Sequence, residues 1–276
     1  MNLPMAETRY STIRLERRGA VAHLTLDRPA RRNALTHAMM VEIEQALVEV
    51  RDDADCRILV LRGAGGNFSA GGDLDAMDDM PPPPAEGALD PLLPAYRQLG
   101  DALLALNTLP QATIGIIEGA AVGGGFGMAC CVDVPILHTS AKFGIPEGKV
   151  GFIPSQIIPF LVRRLGEGPV RELIVTGRVI DAEEVRRFGI GGLLCRSETE
   201  IEAALDALLE DIFRMEPQAL ATGKRLVLSC AAEEDGVVLD DAAESLVGLL
   251  RRPQALEGIA AFKAKRAPSW ARRDDA

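Results

Sequence analysis

The sequence predicts an α/β core followed by an all-helical C-terminal region. Short alternating or uninterrupted apolar runs, which are typical of strands, fall in the first half of the chain and alternate there with helical patterns. Two of these runs lead directly into glycine-rich segments, at residues 63–74 and 119–127. Beyond residue 195 only helical periodicity is found. We therefore expect the boundary between the core and the helical region at residues 195–200.

The order of the elements follows from apolar periodicity. We predict strands at residues 10–16, 20–26, 57–62, 112–118 and 133–137. We predict helices at residues 36–51 and 92–108, from the second glycine run to 131, from about 155 onward, and at 198–213, 216–230, 237–251 and 254–265. Gly19 turns the first two strands into a hairpin, and Asn33 and Thr36 offer N-caps to the first helix. Residues 81–84 are four prolines, so we expect residues 75–92 to form a mobile surface loop.

Composition argues against several classes of protein. The 276 residues carry a net charge of −10, which disfavours a general nucleic-acid-binding surface. The N-terminal residues lack the apolar core of a signal peptide, and no apolar run is long enough to cross a bilayer. We therefore expect a soluble, cytoplasmic protein without membrane association. The five cysteines lack CxxC spacing and the three histidines are scattered, so we expect buried reduced thiols and no metal site.

Both glycine-rich segments follow a buried strand, where backbone N–H groups can point at a ligand without obstruction by a side chain. In the second segment Gly123, Gly124 and Gly125 are expected to begin a helix, whose unpaired N–H groups and partial positive charge suit an anion. A tight turn would need the same glycines, so that interpretation stays open. A nucleotide-binding loop is disfavoured, because Met128 stands where the G-x-G-x-x-G pattern needs glycine and no P-loop Lys-Ser/Thr follows.

Six groups of residues, met in order along the chain, resemble the signatures of the enoyl-CoA hydratase/isomerase (crotonase) superfamily. Residues 67–74, Asn-Phe-Ser-Ala-Gly-Gly-Asp-Leu, are similar to its F-x-A-G-x-D-L/I segment, and residues 118–125, Glu-Gly-Ala-Ala-Val-Gly-Gly-Gly, to its N-G-x-A-x-G-G-G segment. Residues 143–147 with 151–154 resemble F-G-x-P-E…G-x-x-P. The other landmarks are Leu26-Asp27-Arg28-Pro29 with Asn33-Ala34-Leu35, Thr176-Gly177-Arg178 with Ala182 and Phe188-Gly189, and Phe262 with Lys265 and Arg266. The ordered set covers most of the chain.

The resemblance implies a fold, roles and partners. The fold is an α/β spiral of repeated ββα units, with a CoA-binding core at residues 1–197 and a helical trimerisation region at residues 198–276. The backbone N–H groups of Gly72 and Gly124 would form an oxyanion hole for the thioester carbonyl. Substrate or CoA contacts are implied for Arg28, Arg31, Arg32, Ala70, Gly72, Asp73, Leu74, Gly124, Phe262 and Lys265. The implied partners are an acyl-CoA thioester and further copies of the chain, as a trimer or a hexamer. No separate cofactor is implied, because coenzyme A is part of the substrate.

The choice of reaction depends on the acid–base groups. Glu147 matches one of the two glutamates that hydratases of this superfamily commonly use, and burial would raise its pKa. The second glutamate is replaced by Gly127. Enoyl-CoA hydration by Glu147 alone is the first interpretation and Δ3/Δ2-enoyl-CoA isomerisation is the second. The third is a non-catalytic acyl-CoA-binding or interaction protein.

Residues 154–160, Pro-Ser-Gln-Ile-Ile-Pro-Phe, bear on the substrate. This segment and the small residue at Gly127 resemble hydratases of the methylglutaconyl-CoA and isohexenylglutaconyl-CoA types. A glutaconyl-type substrate carries its own carboxylate, which would do part of the work of the missing glutamate. A branched glutaconyl-CoA is therefore an expected substrate class. No Ser-His-Asp spacing supports a hydrolase, and a decarboxylase of the same superfamily stays open.

Overall fold

The structure, a computed structural model, describes residues 10–77 and 81–271. The strands are β1 (Ile13–Arg18), β2 (Val21–Leu26), β3 (Ile58–Gly63), β4 (Ala112–Ile117), β5 (Ala120–Val122), β6 (Val134–His138), β7 (Lys142–Gly144), β8 (Val179–Asp181) and β9 (Leu193–Cys195). The helices are α1 (His37–Asp52), α2 (Leu92–Asn107), α3 (Gly124–Cys131), α4 (Ile158–Leu165), α5 (Glu167–Thr176), α6 (Ala182–Arg187), α7 (Glu198–Phe213), α8 (Pro217–Ser229), α9 (Asp235–Leu250) and α10 (Pro253–Lys263). Part of the predicted loop at 75–92, residues 78–80, lies outside the described residues.

Six of the strands form one sheet in the order β1-β2-β3-β4-β6-β9. β1 and β2 are antiparallel, and each later neighbouring pair is parallel. The other three strands form a smaller sheet in the order β5-β7-β8. The prediction of an α/β core followed by a C-terminal helical region is confirmed. Because parallel strands end at the same edge of a sheet, the glycine-rich loops after β3 and β4 meet at one edge.

The main sheet is buried on both faces, which is why its central strands are uninterrupted apolar runs. On β3, Leu59 and Leu61 belong to one core cluster and Ile58 and Val60 to another. The first cluster includes buried residues of α1, α2, α3 and α4. The second is covered by α7. The sheet is therefore a rigid support for the loops at its edge.

The C-terminal helix α9 leaves most of its large apolar side chains exposed, and α8 leaves Val227 exposed. Neither helix has a buried residue, and Val227, Leu239 and Leu250 are 72%, 68% and 52% exposed. A polar contact attaches α8 to the core, where Lys224 Nζ lies 2.7 Å from Asp133 Oδ2. Since α7 packs on the sheet, packing alone does not separate the helical region from the core at residue 198. That boundary stays a prediction.

Several local features differ from the expectations. The three-residue strands β5, β7, β8 and β9 are too short for apolar periodicity to reveal. The helical pattern from residue 155 onward is two helices, because Gly166 between them has φ +83° and ψ 161°, an extended conformation of positive φ that glycine adopts readily and that ends α4. All five cysteines are free, but Cys230 is exposed, because it follows α8, a surface helix without a fully buried residue. Within residues 10–77 and 81–271, no helix has the length and apolarity to cross a bilayer, and no three candidate metal ligands cluster.

Candidate active site

The first glycine-rich loop, residues 63–74, presents the N–H group of Gly72. A parallel bridge joins Gly72 to Leu35, in which the Leu35 N–H donates to the Gly71 carbonyl at 2.7 Å and the Asp73 N–H donates to the Leu35 carbonyl at 2.9 Å. A planar trans peptide points its N–H opposite to its carbonyl. The Gly72 N–H is therefore turned away from Leu35, and it donates no hydrogen bond to any residue in the described part of the chain.

The second loop leads from β5 into α3 through Gly123. This glycine has φ +52°, and its N–H donates to the Gly144 carbonyl of β7 at 3.0 Å. Gly124 is the first residue of α3, so its N–H has no carbonyl partner within the helix. The start of a helix also carries a partial positive charge. This loop therefore offers a second N–H donor to an anion or to a developing oxyanion.

The two loops cross at Gly71 and Gly123. A Cβ placed on Gly71 would lie 2.8 Å from the Val122 carbonyl oxygen and 3.6 Å from the Gly123 Cα, so no side chain fits there. A parallel bridge fixes the crossing, since the Val122 N–H donates to the Ser69 carbonyl at 3.0 Å. The two free N–H groups each follow one of the crossing glycines, so the backbone holds them near each other.

Glu147 lies beside this crossing. It begins a short 3₁₀ helix after β7, and its Oε1 would lie 2.6 Å from a Cβ placed on Gly123. Its Oε2 is buried and has no hydrogen-bond partner among residues 10–77 and 81–271. Burial raises the pKa of this carboxyl above its ordinary value. A desolvated carboxyl with one unpartnered oxygen, next to two free N–H groups, is suited to moving a proton to or from carbon.

Gly127 stands in α3 at the position of the second glutamate, and the space beside it is filled. A Cβ placed on Gly127 would lie 2.5 Å from Cγ2 and 2.9 Å from Cβ of Ile157, and 3.3 Å from Cδ1 of Leu103. Ile157 is 2% exposed and Leu103 is fully buried, so neither side chain can turn out into solvent. No carboxylate side chain fits at this position without displacing one of them.

The chain is similar to known proteins along nearly its whole length. Residues 16–273 match the enoyl-CoA hydratase/isomerase family. The chain belongs to this family. An enoyl-CoA hydratase/isomerase from Marinobacter aquaeolei superposes with a TM-score of 0.90 at 39% identity, covering 95% of this chain and 99% of the other. AtuE of Pseudomonas aeruginosa superposes with a TM-score of 0.89 at 38% identity, covering 95% and 100%. Enoyl-CoA hydratase EchA19 of Mycobacterium tuberculosis is 34% identical over 264 residues, 94% of this chain and 96% of the relative.

The predicted superfamily and its crotonase-like α/β fold are thereby confirmed. Members of the enoyl-CoA hydratase/isomerase family act on acyl-CoA thioesters, whose carbonyl oxygen is an acceptor of the kind that N–H donors stabilise. The roles of Gly72, Gly124 and Glu147 stay predictions. The structure brings the three residues together at one loop crossing.

Two of the three arginines predicted to face CoA phosphates are held by carboxylates. Arg28 Nη2 lies 2.8 Å from Asp73 Oδ2, and the two side chains are 23% and 9% exposed. Arg31 Nη1 lies 2.6 Å from Asp75 Oδ2 on the surface. Arg32 is exposed and has no ion-pair partner among residues 10–77 and 81–271. The phosphate contacts of all three arginines stay predictions.

The other predicted contacts fall into two groups. Ala70 and Leu74 belong to the first loop, where the Ala70 N–H donates to the Arg32 carbonyl at 2.9 Å and Leu74 is 52% exposed. Phe262 and Lys265 lie at the end of α10, and Phe262 is 86% exposed. So exposed an aromatic ring does not pack on the loops of its own chain, and the predicted CoA contacts of Phe262 and Lys265 stay predictions.

Two residues that shape the site are not among the predicted site residues. Leu35 positions Gly72 through its backbone, and backbone pairing leaves no trace in a side-chain pattern. Ile157 closes the space at Gly127. The sequence does not reveal this role, because it depends on Ile157, the residue before α4, packing against Gly127 in α3.

Proposed function

We propose that this chain hydrates the 2,3 double bond of an enoyl-CoA thioester. The observation that carries the proposal is the Glu147 carboxyl, which lies at the crossing of the loops that present the Gly72 and Gly124 N–H groups. Family membership and the similarity to an enoyl-CoA hydratase support the substrate. Hydration needs an oxyanion site and an acid–base group within reach of one thioester, and the two are adjacent in this chain.

The two N–H groups would stabilise an enolate. Attack of water on C3 pushes the double-bond electrons towards C2 and the carbonyl, whose oxygen takes up negative charge. Donors already aimed at that oxygen stabilise it more in the transition state than in the substrate, and losing one typically costs about 3–4 kcal/mol. The Gly72 donor is held by the bridge to Leu35 and the Gly124 donor by the start of α3, so neither has to reorganise.

A single carboxylate is enough for both proton transfers of this reaction. Glu147 begins ionised and takes one proton from water while the water oxygen bonds to C3. It then returns that proton to C2 of the enolate, so one water is consumed and the carboxylate regains its initial state. Burial raises the pKa of Glu147, which suits a group that must both take and give a proton.

The proposed substrate class is a branched glutaconyl-CoA, which has a carboxylate of its own. The support is Gly127, beside which no second protein carboxylate fits. A substrate carboxylate would supply a negative group to orient the attacking water. We expect kcat/KM for 3-methylglutaconyl-CoA or isohexenylglutaconyl-CoA to exceed that for crotonyl-CoA. An equal or higher value for crotonyl-CoA would contradict this substrate class and leave hydration itself intact.

The closed position at Gly127 also favours a second candidate, Δ3/Δ2-enoyl-CoA isomerisation. One carboxylate suffices to carry a proton between C2 and C4, and the aliphatic side chains of Ile157 and Leu103 would keep water away. Incubation of 2-enoyl-CoA and 3-enoyl-CoA esters in 18O-labelled water separates the reactions, because only hydration places 18O in the product. If neither reaction occurs across the panel, a non-catalytic acyl-CoA-binding or interaction protein becomes the better account.

Glu147→Gln tests the acid–base role while keeping the shape of the side chain. Because a positioned acid–base group typically contributes about 10²–10⁴ in rate, kcat should fall by that order while the affinity for saturated butanoyl-CoA is retained. Glu202→Gln on α7, an exposed glutamate outside the site, is the matched control. Near wild-type turnover in a folded Glu147→Gln variant would remove Glu147 from the mechanism.

We also propose that the chain assembles as a homo-oligomer, a trimer or a hexamer. The support is the uncovered apolar surface of α9 and α10, where Leu239, Leu256 and Phe262 are 68%, 69% and 86% exposed. Large exposed apolar side chains on two helices that contact each other are typical of an interface between proteins. The proposal assigns that surface to further copies of this chain.

A further inference from the structure

Arg28 begins a continuous line of hydrogen bonds that ends at the Gly72 N–H. Its Nη1 donates to the Ala34 carbonyl oxygen at 2.5 Å. The N–H of the same peptide group, which belongs to Leu35, donates to the Gly71 carbonyl at 2.7 Å. That carbonyl in turn shares its peptide group with the Gly72 N–H. The guanidinium is thus connected to one donor of the proposed oxyanion hole through two peptide groups.

A second contact of Arg28 holds the other side of the bridge between Leu35 and Gly72. Its Nη2 lies 2.8 Å from the Asp73 carboxylate, and the Asp73 N–H donates to the Leu35 carbonyl at 2.9 Å. The backbone N–H of Arg28 donates to Oδ1 of the fully buried Asn33 at 2.9 Å, which fixes the base of the side chain. A planar guanidinium reaches two acceptors at fixed angles, so Arg28 ties both strands of the bridge together.

This line of hydrogen bonds has two physical consequences. In each planar peptide group the N–H points opposite to the carbonyl, so the orientation of one group fixes the direction of both. A tilt of the Leu35 peptide would therefore turn the Gly72 N–H away from the thioester oxygen. Hydrogen bonds in series also polarise one another, and a charged donor at the start makes the effect larger. The Gly72 N–H is therefore a better donor while Arg28 holds the Ala34 carbonyl.

We infer that Arg28 is a positioning residue for the oxyanion hole, acting through the Leu35 and Gly72 peptides, and is not a ligand of the CoA phosphates. The inference rests on the proposed function, because it places a thioester oxygen at the Gly72 N–H. The Arg28 side chain is 23% exposed and already has a carboxylate partner in Asp73. Of the three arginines predicted to face the CoA phosphates, Arg32 is exposed and forms no ion pair within the described residues, so it is available to bind a phosphate.

Arg28→Met tests the inference, because methionine keeps an apolar stem and removes every donor. Three quantities are measured: kcat, the affinity for free CoA, and the carbonyl stretching frequency of bound butanoyl-CoA labelled with 13C at the thioester carbonyl. Complete loss of one oxyanion donor lowers kcat by about 10²–10³, so we expect a weakened donor to lower kcat by about 10-fold. The affinity for free CoA should be unchanged, and the carbonyl band should move back towards its frequency in water.

Two further variants make the comparison sharper. Arg28→Lys keeps the charge but loses the fork that reaches two acceptors, so we expect a smaller fall in kcat. Arg17→Met is the matched control, because Arg17 also pairs with an aspartate, Asp53, and donates to a backbone carbonyl, that of Gly19. The Arg17 and Asp53 side chains are 20% and 25% exposed and lie at the end of β1, away from the glycine-rich loops. This control should leave both kcat and the carbonyl band unchanged.

The outcomes separate this inference from the proposed function. Wild-type kcat and carbonyl frequency in folded Arg28→Met would overturn the inference. A fall in free-CoA affinity that accounts for the whole fall in kcat/KM would also overturn it, since a phosphate ligand gives that result. If Arg28→Met does not fold, Arg28→Lys and Asp73→Asn carry the same comparison. If the wild-type protein itself shows neither turnover nor a displaced carbonyl band, the proposed function fails and the inference fails with it.

Discussion

Whether the substitution Gly127→Ala stabilises or destabilises the protein depends on one neighbouring side chain, that of Ile157. In isolation, Gly127→Ala should stabilise α3, because alanine is favoured over glycine inside a helix by about 1 kcal/mol. In this protein the added Cβ would lie 2.5 Å from Cγ2 of Ile157, about 1 Å short of the ~3.5 Å at which carbon atoms make favourable contact. Ile157 is 2% exposed, so it cannot yield towards solvent.

The two effects can be weighed against each other. Overpacking a buried site costs about 1–3 kcal/mol, and the helix preference returns about 1 kcal/mol. Gly127→Ala should therefore destabilise the wild-type protein by about 0–2 kcal/mol. Ile157→Ala alone should cost about 2–5 kcal/mol. In the Ile157→Ala background the 2.5 Å contact with Cγ2 is gone but the 2.9 Å contact with Cβ of residue 157 remains, so Gly127→Ala should destabilise that background less than it destabilises the wild type.

Urea unfolding of the wild type, the two single variants and the double variant measures this coupling. All four proteins are compared at one protein concentration, because an oligomer's apparent stability depends on it. The expected coupling energy is about 1 kcal/mol, with the double variant more stable than the sum of the single changes predicts, because only the contact with Cγ2 is relieved. If Gly127→Ala instead stabilises the wild type, with no coupling to Ile157→Ala, the space at Gly127 is open and a second carboxylate would fit there.

Two other predictions concern pH and assembly. Burial raises the pKa of Glu147, so between its ordinary and its raised value the folded chain binds more protons than the unfolded chain. The stability contribution of this group is fully present below the ordinary pKa and is lost as pH rises through the raised pKa. Glu147→Gln, which cannot ionise, should therefore gain stability relative to the wild type as pH rises, and a gap that instead widens as pH falls would contradict a raised pKa. Leu239→Glu should lower the oligomeric state in sedimentation velocity, because it places a charge on the uncovered face of α9, whereas Leu104→Glu on α2 serves as the exposed control. Unchanged assembly in Leu239→Glu would exclude that face from the interface.

The strands and helices with clear periodicity were predictable from the sequence. The hairpin of β1 and β2, the buried strands β3 and β4, and α7 at Glu198–Phe213 follow local patterns that the chain carries wherever it is placed. The strands β5 and β7 were not predictable, because three residues carry no period and their pairing joins distant segments. β7 nevertheless places Glu147 next to Gly123, so an unpredicted element brings the predicted acid–base residue to the site.

The glycines show what a local sequence pattern predicts and what it does not. The run Gly123-Gly124-Gly125 predicts the start of a helix, and α3 begins at Gly124. The same pattern does not reveal that Gly71 and Gly123 cross, because a close approach of two backbones is a relation between loops from different strands. Gly127 has a different role again, because its lack of a side chain makes room for Ile157.

The sequence by itself determined the fold class, the two glycine-rich loops with their N–H donors, and Glu147 as the candidate acid–base residue. These depend on residue types at local spacings, which also carry the family resemblance. Only the tertiary structure decided that Gly127 has no room for a carboxylate and that Arg28 is bound to Asp73 and to the Ala34 carbonyl. The reason is physical: steric closure and hydrogen bonding are properties of groups from separate segments, which packing alone brings into contact. The sequence alone leaves Arg28 available to a phosphate, whereas in the folded chain the Asp73 carboxylate already pairs with it.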